Sequence, residues 1–425
     1  MSKKIKIAIA GVGNCASALI QGIQFYQDHP NETIGLMYKE IGGYTADDIE
    51  FVIGFDVDDR KVGISLRDAI FQKPNCTMTV NRALNVNYGA MVFRGPTLDG
   101  IAPHMKNYPE DVTFVEDTDM DVVTAEEYIS LLQSNNVDIL LNYMPVGSVQ
   151  ASKFYIENAI EAGVHVVNCM PTYISTDDAR RLEKIAIEKG ITIVGSDMRS
   201  AYGASRLSEV LQGSMLDAGL KVTQHIQMNM ACGTTQGQEN VINGRTANTD
   251  FLNMAVKDRL HDKHVSKENV LTGQNVVRSI ATEGATMYAG PSLTVLQRPG
   301  GEYIGTDNKV ANLDIVAYGF AGARYELTAR LSVQDSYNSG GIVFDAIRFC
   351  KVAEEMGVVG FLRGPSAWSQ KTPPLQMTTA DAKFECDALA RRVITPLVEK
   401  QLKQNNPNVD ELEYTFQTSR TEYDK

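Results

Sequence analysis

Residues 124–194 constrain the fold of this chain more than any other stretch. Short apolar runs alternate there with helical segments that carry their own start and stop signals. Thr124 and Glu127 have the spacing of a capping box, in which each side chain accepts the other's backbone N–H. Residues 137–142 read as a buried strand and 149–162 as a helix closed by Gly163. Residues 164–168 read as a second strand, 176–189 as a helix closed by Gly190, and 191–194 as a third strand. Glycine is suited to those closing positions because it enters the left-handed region without penalty. Strands this short and this uniformly apolar are buried on both faces. Alternation with helices then demands a parallel sheet with helices packed over it.

The rest of the chain adds to that frame. Residues 4–10 form another apolar run, followed by Gly11-Val12-Gly13. Ala16, Leu19, Ile20 and Ile23 then recur at helical spacing, giving strand, glycine turn and helix. A further run, 51–55, ends at Asp56, and the polar segment 28–48 between them reads as an inserted loop. The rhythm changes after about residue 215. Residues 221–230 read as a longer strand, 231–247 as a polar, glycine-rich loop and 250–260 as a helix. Tyr325, Leu327, Ala329, Leu331 and Val333 alternate with Glu326, Thr328, Arg330 and Ser332, the pattern of an antiparallel sheet with one wet face. Gly319 and Gly322 can turn a hairpin before it. Ile342, Val343, Ala346, Ile347, Cys350 and Ala353 form a helical stripe, ended by Gly357, that would pack back on the first domain. The expected fold is α/β. A Rossmann-like parallel sheet in 1–215 carries an inserted central α+β domain in 216–338. Residues 339–425 return to the first domain and end in a polar tail.

Composition narrows the function classes. The chain has 425 residues, 43% hydrophobic and 22% charged, with 40 basic and 52 acidic side chains for a net charge of −12. That balance excludes a largely disordered chain and argues against general binding to nucleic acid or an anionic membrane. Positive charge for an anionic substrate would have to be gathered locally. The six cysteines are scattered without a Cys-x-x-Cys pair, which fits reduced thiols in a cytoplasm better than a disulfide framework or a zinc finger. No apolar run approaches the roughly 20 residues of a membrane span, and Gly11, Gly13 and Asn14 break the opening apolar run too soon for a signal peptide. A soluble cytoplasmic protein is expected.

The chemistry gathers at the ends of the strands. In Gly11-Val12-Gly13-Asn14-Cys15-Ala16, the first glycine permits the tight turn and the second allows a pyrophosphate to approach the backbone. Ala16 lets the helix sit close to the strand. Asp56, ending the next strand, can accept from adenosine ribose hydroxyls and would repel a 2′-phosphate, which favours NAD over NADP. Asn142-Tyr-Met-Pro145-Val-Gly-Ser148 and Asn168-Cys-Met-Pro171 follow two further strands, where ligands bind in such sheets, although plain connecting loops would read the same way. Asp197 also follows a strand and could equally cap a helix. Lys263 and Lys267 would share one helix face, and Lys371 lies in the proline-rich Ser369-Gln-Lys-Thr-Pro-Pro374. Asp335 ends the alternating strand, where a simple turn aspartate is as good a reading. On spacing alone the lysines are solvated surface residues.

Taken in order, these segments resemble the myo-inositol-1-phosphate synthase family in its shorter bacterial and archaeal form. The matching stretches are Gly-Val-Gly-Asn-Cys-Ala-Ser17, Phe55-Asp-Val-Asp58, Arg94-Gly-Pro-Thr-Leu-Asp-Gly100 and Tyr143-Met-Pro-Val-Gly-Ser148. They continue with Asp250-Phe-Leu-Asn-Met254, Lys263-x-x-Ser-Lys267, Asp335-Ser-x-Asn-Ser339 and Lys371-x-Pro-Pro374, over roughly residues 5–375. The resemblance implies conversion of D-glucose 6-phosphate to 1D-myo-inositol 3-phosphate. NAD would oxidise C5, an enolate would close the ring by attack on C1, and NADH would reduce the ketone, leaving the cycle redox-neutral. It further implies that Lys263, Lys267 and Lys371 hold phosphate, stabilise the oxyanion and move protons. Asp197 and Asp335 would orient lysines, sugar hydroxyls or a cation near the nicotinamide, and Asn248 and Asp250 would contact substrate. A homotetramer formed through the central sheets is implied, and a divalent metal ion is common in such relatives. The further lysine that the family carries after the segment matching Gly290-Pro-Ser292 is absent from 293–302, where Arg298 is the only cation. The family's asparagine upstream of Asn248 is displaced, with Asn229 a candidate equivalent. A net NAD-dependent dehydrogenase, a cyclase for another sugar phosphate and a non-catalytic NAD-bound regulator remain the alternatives.

Overall fold

The computed structural model describes residues 4–107, 110, 113–232, 266, 307–403 and 414. In chain order the first half contains β1 (Ile5–Ala10), α1 (Asn14–Asp28), β2 (Ile49–Asp56), α2 (Leu66–Ala69), β3 (Val92–Arg94) and α3 (Ala125–Ser134). It continues with β4 (Ile139–Asn142), α4 (Val149–Glu161), β5 (His165–Asn168), α5 (Thr176–Lys189), β6 (Thr192–Val194) and α6 (Ala204–Asp217). The start and stop signals act as their chemistry requires. Thr124 Oγ1 accepts the Glu127 N–H at 3.2 Å while Glu127 Oε2 accepts the Thr124 N–H at 2.8 Å. Gly190 closes α5 at φ +72°.

The second half supplies β7 (Lys221–Cys232), β8 (Asn308–Tyr318), β9 (Arg324–Gln334), α7 (Asp335–Glu355), β10 (Gly360–Phe361), α8 (Arg363–Ser369), α9 (Thr379–Ala390) and α10 (Pro396–Lys403). Seven strands form one parallel sheet in the order β10-β6-β5-β4-β1-β2-β3. The order reverses at β1, which has β2 on one side and β4 on the other. Connections therefore leave its C-terminal edge in opposite directions and open a crevice there. Both faces are covered. Ile7, Ile9 and Leu141 pack under α1 and α7, and Ala8, Ala10, Leu140 and Val166 pack under α3, α4 and α5. β7, β8 and β9 form a separate antiparallel sheet. Leu327, Ala329 and Leu331 of β9 turn toward α6, while Glu326, Thr328, Arg330 and Ser332 are exposed. Gly319 and Gly322 lie in the hairpin between β8 and β9.

Two details differ from the sequence expectation, and a third was not expected at all. β7 runs on to Cys232, two residues into the stretch read as loop, because β8 pairs with it as far as Asn308. The helix expected from 342 begins at Asp335. Its early turns carry Gly340 and Gly341, which let it lie against Leu19 of α1 and the Gly35 carbonyl. The inserted loop 28–48 is tethered by a buried residue of α7. Arg348 donates to the carbonyls of Tyr38, Lys39 and Tyr44 at 3.0, 3.1 and 3.3 Å and pairs with Asp345 at 2.5 Å. Cys15, Cys76, Cys169, Cys350 and Cys386 form no disulfide. No helix of the described residues is long and apolar enough to cross a membrane.

Candidate functional site

A cleft lined by Gly11, Asn14, Asp56, Tyr143 and Asp335 opens above the C-terminal ends of β1, β2 and β4, where ligands bind in sheets of this kind. Gly11 sits at its floor with φ +93°, and a Cβ there would lie 2.4 Å from the Tyr143 carbonyl oxygen. Only glycine fits. A Cβ on Gly13 would meet nothing within 4 Å, so the missing side chain leaves open space beside the start of α1. No acidic residue lies in the first turn of α1, and no side chain caps it. The contrast is α4, whose Gln150 and Ala151 N–H groups are taken at 2.7 and 3.1 Å by the Asp99 carboxylate of the Arg94–Gly100 motif. One helix start is plugged by an acid. The other faces the cleft with its positive dipole end available to an anion.

Asp56 stands beside that turn. Its Oδ2 accepts the Val12 N–H at 2.8 Å, and its Oδ1 accepts those of Val57 and Asp58 at 2.7 and 3.1 Å. Lys61 is buried next to it. Its ammonium lies 3.8 Å from Asp56 Oδ2 and donates to the Val12 carbonyl and Asn75 Oδ1 at 2.9 and 3.0 Å. Asn14 accepts the Cys76 N–H at 2.8 Å and so pins the neighbouring loop across the helix start. Cys15 and Pro145 line the cleft, and Ala16 is fully buried against the core.

Asn142 and Asn168 are register partners across β4 and β5. Both are buried, with Asn142 Nδ2 donating to Asn168 Oδ1 at 2.9 Å. Asn168 in turn donates to the Thr172 carbonyl and to Ser196 Oγ at 3.1 and 3.0 Å. Their amides thus tie three strand–helix loops together.

Two lysine–aspartate pairs lie beyond. The first unites distant segments. Residues 196–199 run alongside 369–372 through backbone hydrogen bonds of 2.7–3.1 Å, and Lys371 Nζ donates to Asp197 Oδ1 at 3.1 Å and to the Met198 carbonyl at 2.6 Å. Asp197 is fully buried and holds φ +61°, a backbone region in which aspartate is enriched among non-glycine residues. The second pair is Lys309 of β8 with Asp335 at the start of α7, at 3.2–3.3 Å. Asp335 and its neighbour Ser336 belong to the cleft wall. Burial pulls the Lys309 pKa down, but Asp335, with Asp197 behind it, outweighs this and leaves it above its ordinary value. Lys309 is held as a cation. Asp307 accepts the Ser336 N–H and O–H at 3.1 and 3.0 Å. Burial, with the Asp335 charge added, pushes Asp307 up to about 7.

Lys263, Lys267, Asn248, Asp250 and Arg298 lie outside the described residues, and Asn229 falls within β7. Lys61, Asp307 and Lys309 were not singled out in the sequence. Lys61 follows Asp56 by five positions in an ordinary charged run, Asp56-Val-Asp-Asp-Arg-Lys61. Lys309 could have been found only as a lysine on the strand that pairs with the one leading to Asp335.

No family model matches the sequence. The chain is 36% identical over 390 residues to the inositol-3-phosphate synthase of Mycobacterium tuberculosis (strain CDC 1551 / Oshkosh), covering 91% of this chain and 95% of that protein. It is 36% identical over 390 residues to the inositol-3-phosphate synthase of Corynebacterium glutamicum, covering 90% and 97%. The chain belongs to the inositol-3-phosphate synthase family. A myo-inositol-1-phosphate synthase-related protein from Thermotoga maritima shares the fold, with a TM-score of 0.65 and 20% identity over 91% of this chain and 98% of that one. Membership of the synthase family makes this chain an enzyme. Among the described residues, no three His, Cys, Asp or Glu side chains converge to hold a metal ion.

Proposed function

We propose that the enzyme converts D-glucose 6-phosphate to 1D-myo-inositol 3-phosphate with NAD as a recycled cofactor. The observation that carries this reading is Asp335 on the wall of the glycine-turn cleft, paired with Lys309, whose charge Asp197, itself paired with Lys371, also favours. A simple dehydrogenase needs a cofactor site and an acid or base. An aldol closure on a phosphorylated sugar also needs several cations for the phosphate and the enolate oxygen.

The cleft fits a dinucleotide. Gly11, Gly13, Asn14, Cys15 and Ala16 would form the pyrophosphate turn, and Asp56 would accept from the adenosine ribose. Pro145 would line the far half, and Asn142 and Asn168 would hold its loops. When bound, NAD supplies a hydride acceptor and later a hydride donor at C5. The remaining roles belong to side chains. Lys309, kept protonated by Asp335, suits stabilisation of an oxyanion or phosphate. On this reading it supplies the further cation that is absent from 293–302, where Arg298 could not serve as a proton shuttle. Lys371, oriented by Asp197, is placed to exchange a proton with a sugar oxygen. Lys263, Lys267, Asn248 and Asp250 complete the substrate contacts on this reading. Residues 1–215, 216–338 and 339–425 would serve as cofactor domain, catalytic and assembly domain, and returning segment. Phe320 (94% exposed) and Tyr325 at the tip of the β8–β9 hairpin are suited to contacts within a homotetramer.

The test is incubation of the purified protein with glucose 6-phosphate and catalytic NAD, with and without a divalent metal. Phosphorus NMR follows the product and absorbance follows NADH. Many turnovers per NAD without net NADH support the synthase. Net NADH formation, or no product, overturns it.

A further inference from the structure

Tyr143 follows β4 directly, and its backbone N–H donates to the Ala10 carbonyl of β1 at 2.8 Å. This places it against the glycine turn, where its own carbonyl occupies the space that a Gly11 side chain would need. The residue forms part of the cleft wall. The residue is only 8% exposed, and its phenol oxygen has no hydrogen-bond partner among the described residues. Buried hydroxyls in native proteins are nearly always paired, because leaving one unpaired forfeits its hydration without return. Burial, with Cys169 and Cys15 nearby, pushes the phenol pKa well above its ordinary value. The group is therefore an O–H donor across the working pH range. Thr97, on the same cleft wall, also has a buried hydroxyl without a partner among the described residues. Two residues of one cleft wall thus carry buried hydroxyls that a polar ligand would satisfy.

We propose that Tyr143 binds the nicotinamide-riboside half of the dinucleotide, its phenol O–H hydrogen-bonding to a polar atom of that half. This rests on the NAD reading above. The choice of half follows from topology. Asp56 ends β2 on one side of β1, and Tyr143 follows β4 on the other. A dinucleotide with its adenosine ribose at Asp56 and its pyrophosphate at Gly13 must lay its other half over β4.

The test uses the full-length protein stripped of nucleotide, comparing wild type with Tyr143→Phe. Only an oxygen is removed. NADH affinity is expected to fall about five- to thirty-fold, the loss of one good hydrogen bond. ADP, which lacks the whole nicotinamide-riboside half, is expected to bind the variant as it binds the wild type. The thermal midpoint of the nucleotide-free protein should stay level or rise, since an unsatisfied buried hydroxyl has been deleted. Unchanged NADH affinity, an equal loss for ADP, or a lower nucleotide-free midpoint would overturn the assignment. A wild-type protein that binds neither ligand overturns the cofactor reading itself, and this assignment with it.

Discussion

At one end of the cleft, Gly11, Gly13 and Asp56 sit on the ends of two adjacent parallel strands, and the surface is mostly backbone. The other end is marked by Asp335 on the cleft wall; it pairs at the start of α7 with Lys309 of β8, and Asp197 from the loop after β6 pairs with Lys371 from the loop after α8. The first end is defined by what is missing, a Cβ, and by N–H groups held in place. The second is defined by charges that must be carried together by tertiary structure and kept paired until a substrate arrives. Substitutions at the two ends should therefore fail in different ways.

The largest effect is expected from Lys309→Met, which keeps the length of the side chain and removes its charge. Product formation should fall by roughly 10²–10⁴-fold, the range for loss of a charge-stabilising or proton-transfer group, while NADH binding persists. Rates by phosphorus NMR and NADH fluorescence titration measure the two quantities, and parallel losses in both would erase the distinction between the ends. Gly11→Ala comes next. A Cβ 2.4 Å from the Tyr143 oxygen at φ +93° adds a clash to about 1–3 kcal/mol of backbone strain. A lower melting temperature and weakened NADH binding should appear together. Gly13→Ala sharpens the comparison, because its Cβ enters open space. Its melting temperature should stay near wild type while NADH affinity falls, and a large loss of stability would contradict the cradle described for that position.

The smallest effect is in the pH dependence of stability. Asp307 is raised from its ordinary 3.8 to about 7 by burial and by Asp335. Between those two values the folded protein holds a proton that the unfolded chain releases, so this group makes stability decline as pH rises through the window and level off above about 7. Asp345, also pushed up to about 7 by burial, acts in the same direction. Asp307→Asn should therefore flatten part of that decline. Melting curves of the two proteins from pH 4 to 8 should diverge, and parallel curves would show that the Asp307 carboxyl does not hold its proton.

The same contrast explains how much was legible in the sequence. The strands around residues 137–194 announce themselves through local signals, such as the Thr124–Glu127 box and Gly190, that work within a few residues. The turn at Gly11–Ala16 is equally local, and Asp56 was found because a strand end is a position that can be counted. Lys309 was not. It lies 26 residues before Asp335, and only the antiparallel pairing of β8 with β9 brings the two together. The pairing of Asp197 with Lys371 across 174 residues was not legible either, since neither residue's neighbourhood shows which cation meets which carboxylate. The start of α7 was missed for a related reason. Gly340 and Gly341 look like helix breakers in isolation, and their value appears only when α1 and the inserted loop press against them.

The central claim is that both ends of the cleft serve one substrate, so that hydride leaves and returns to the same molecule. Glucose 6-phosphate deuterated at C5, incubated with the enzyme and unlabelled catalytic NAD, tests this most directly. The account predicts inositol phosphate that retains its deuterium through many turnovers, with none accumulating in free NADH. Deuterium in the bulk NADH pool, or product that has lost its label, would contradict it.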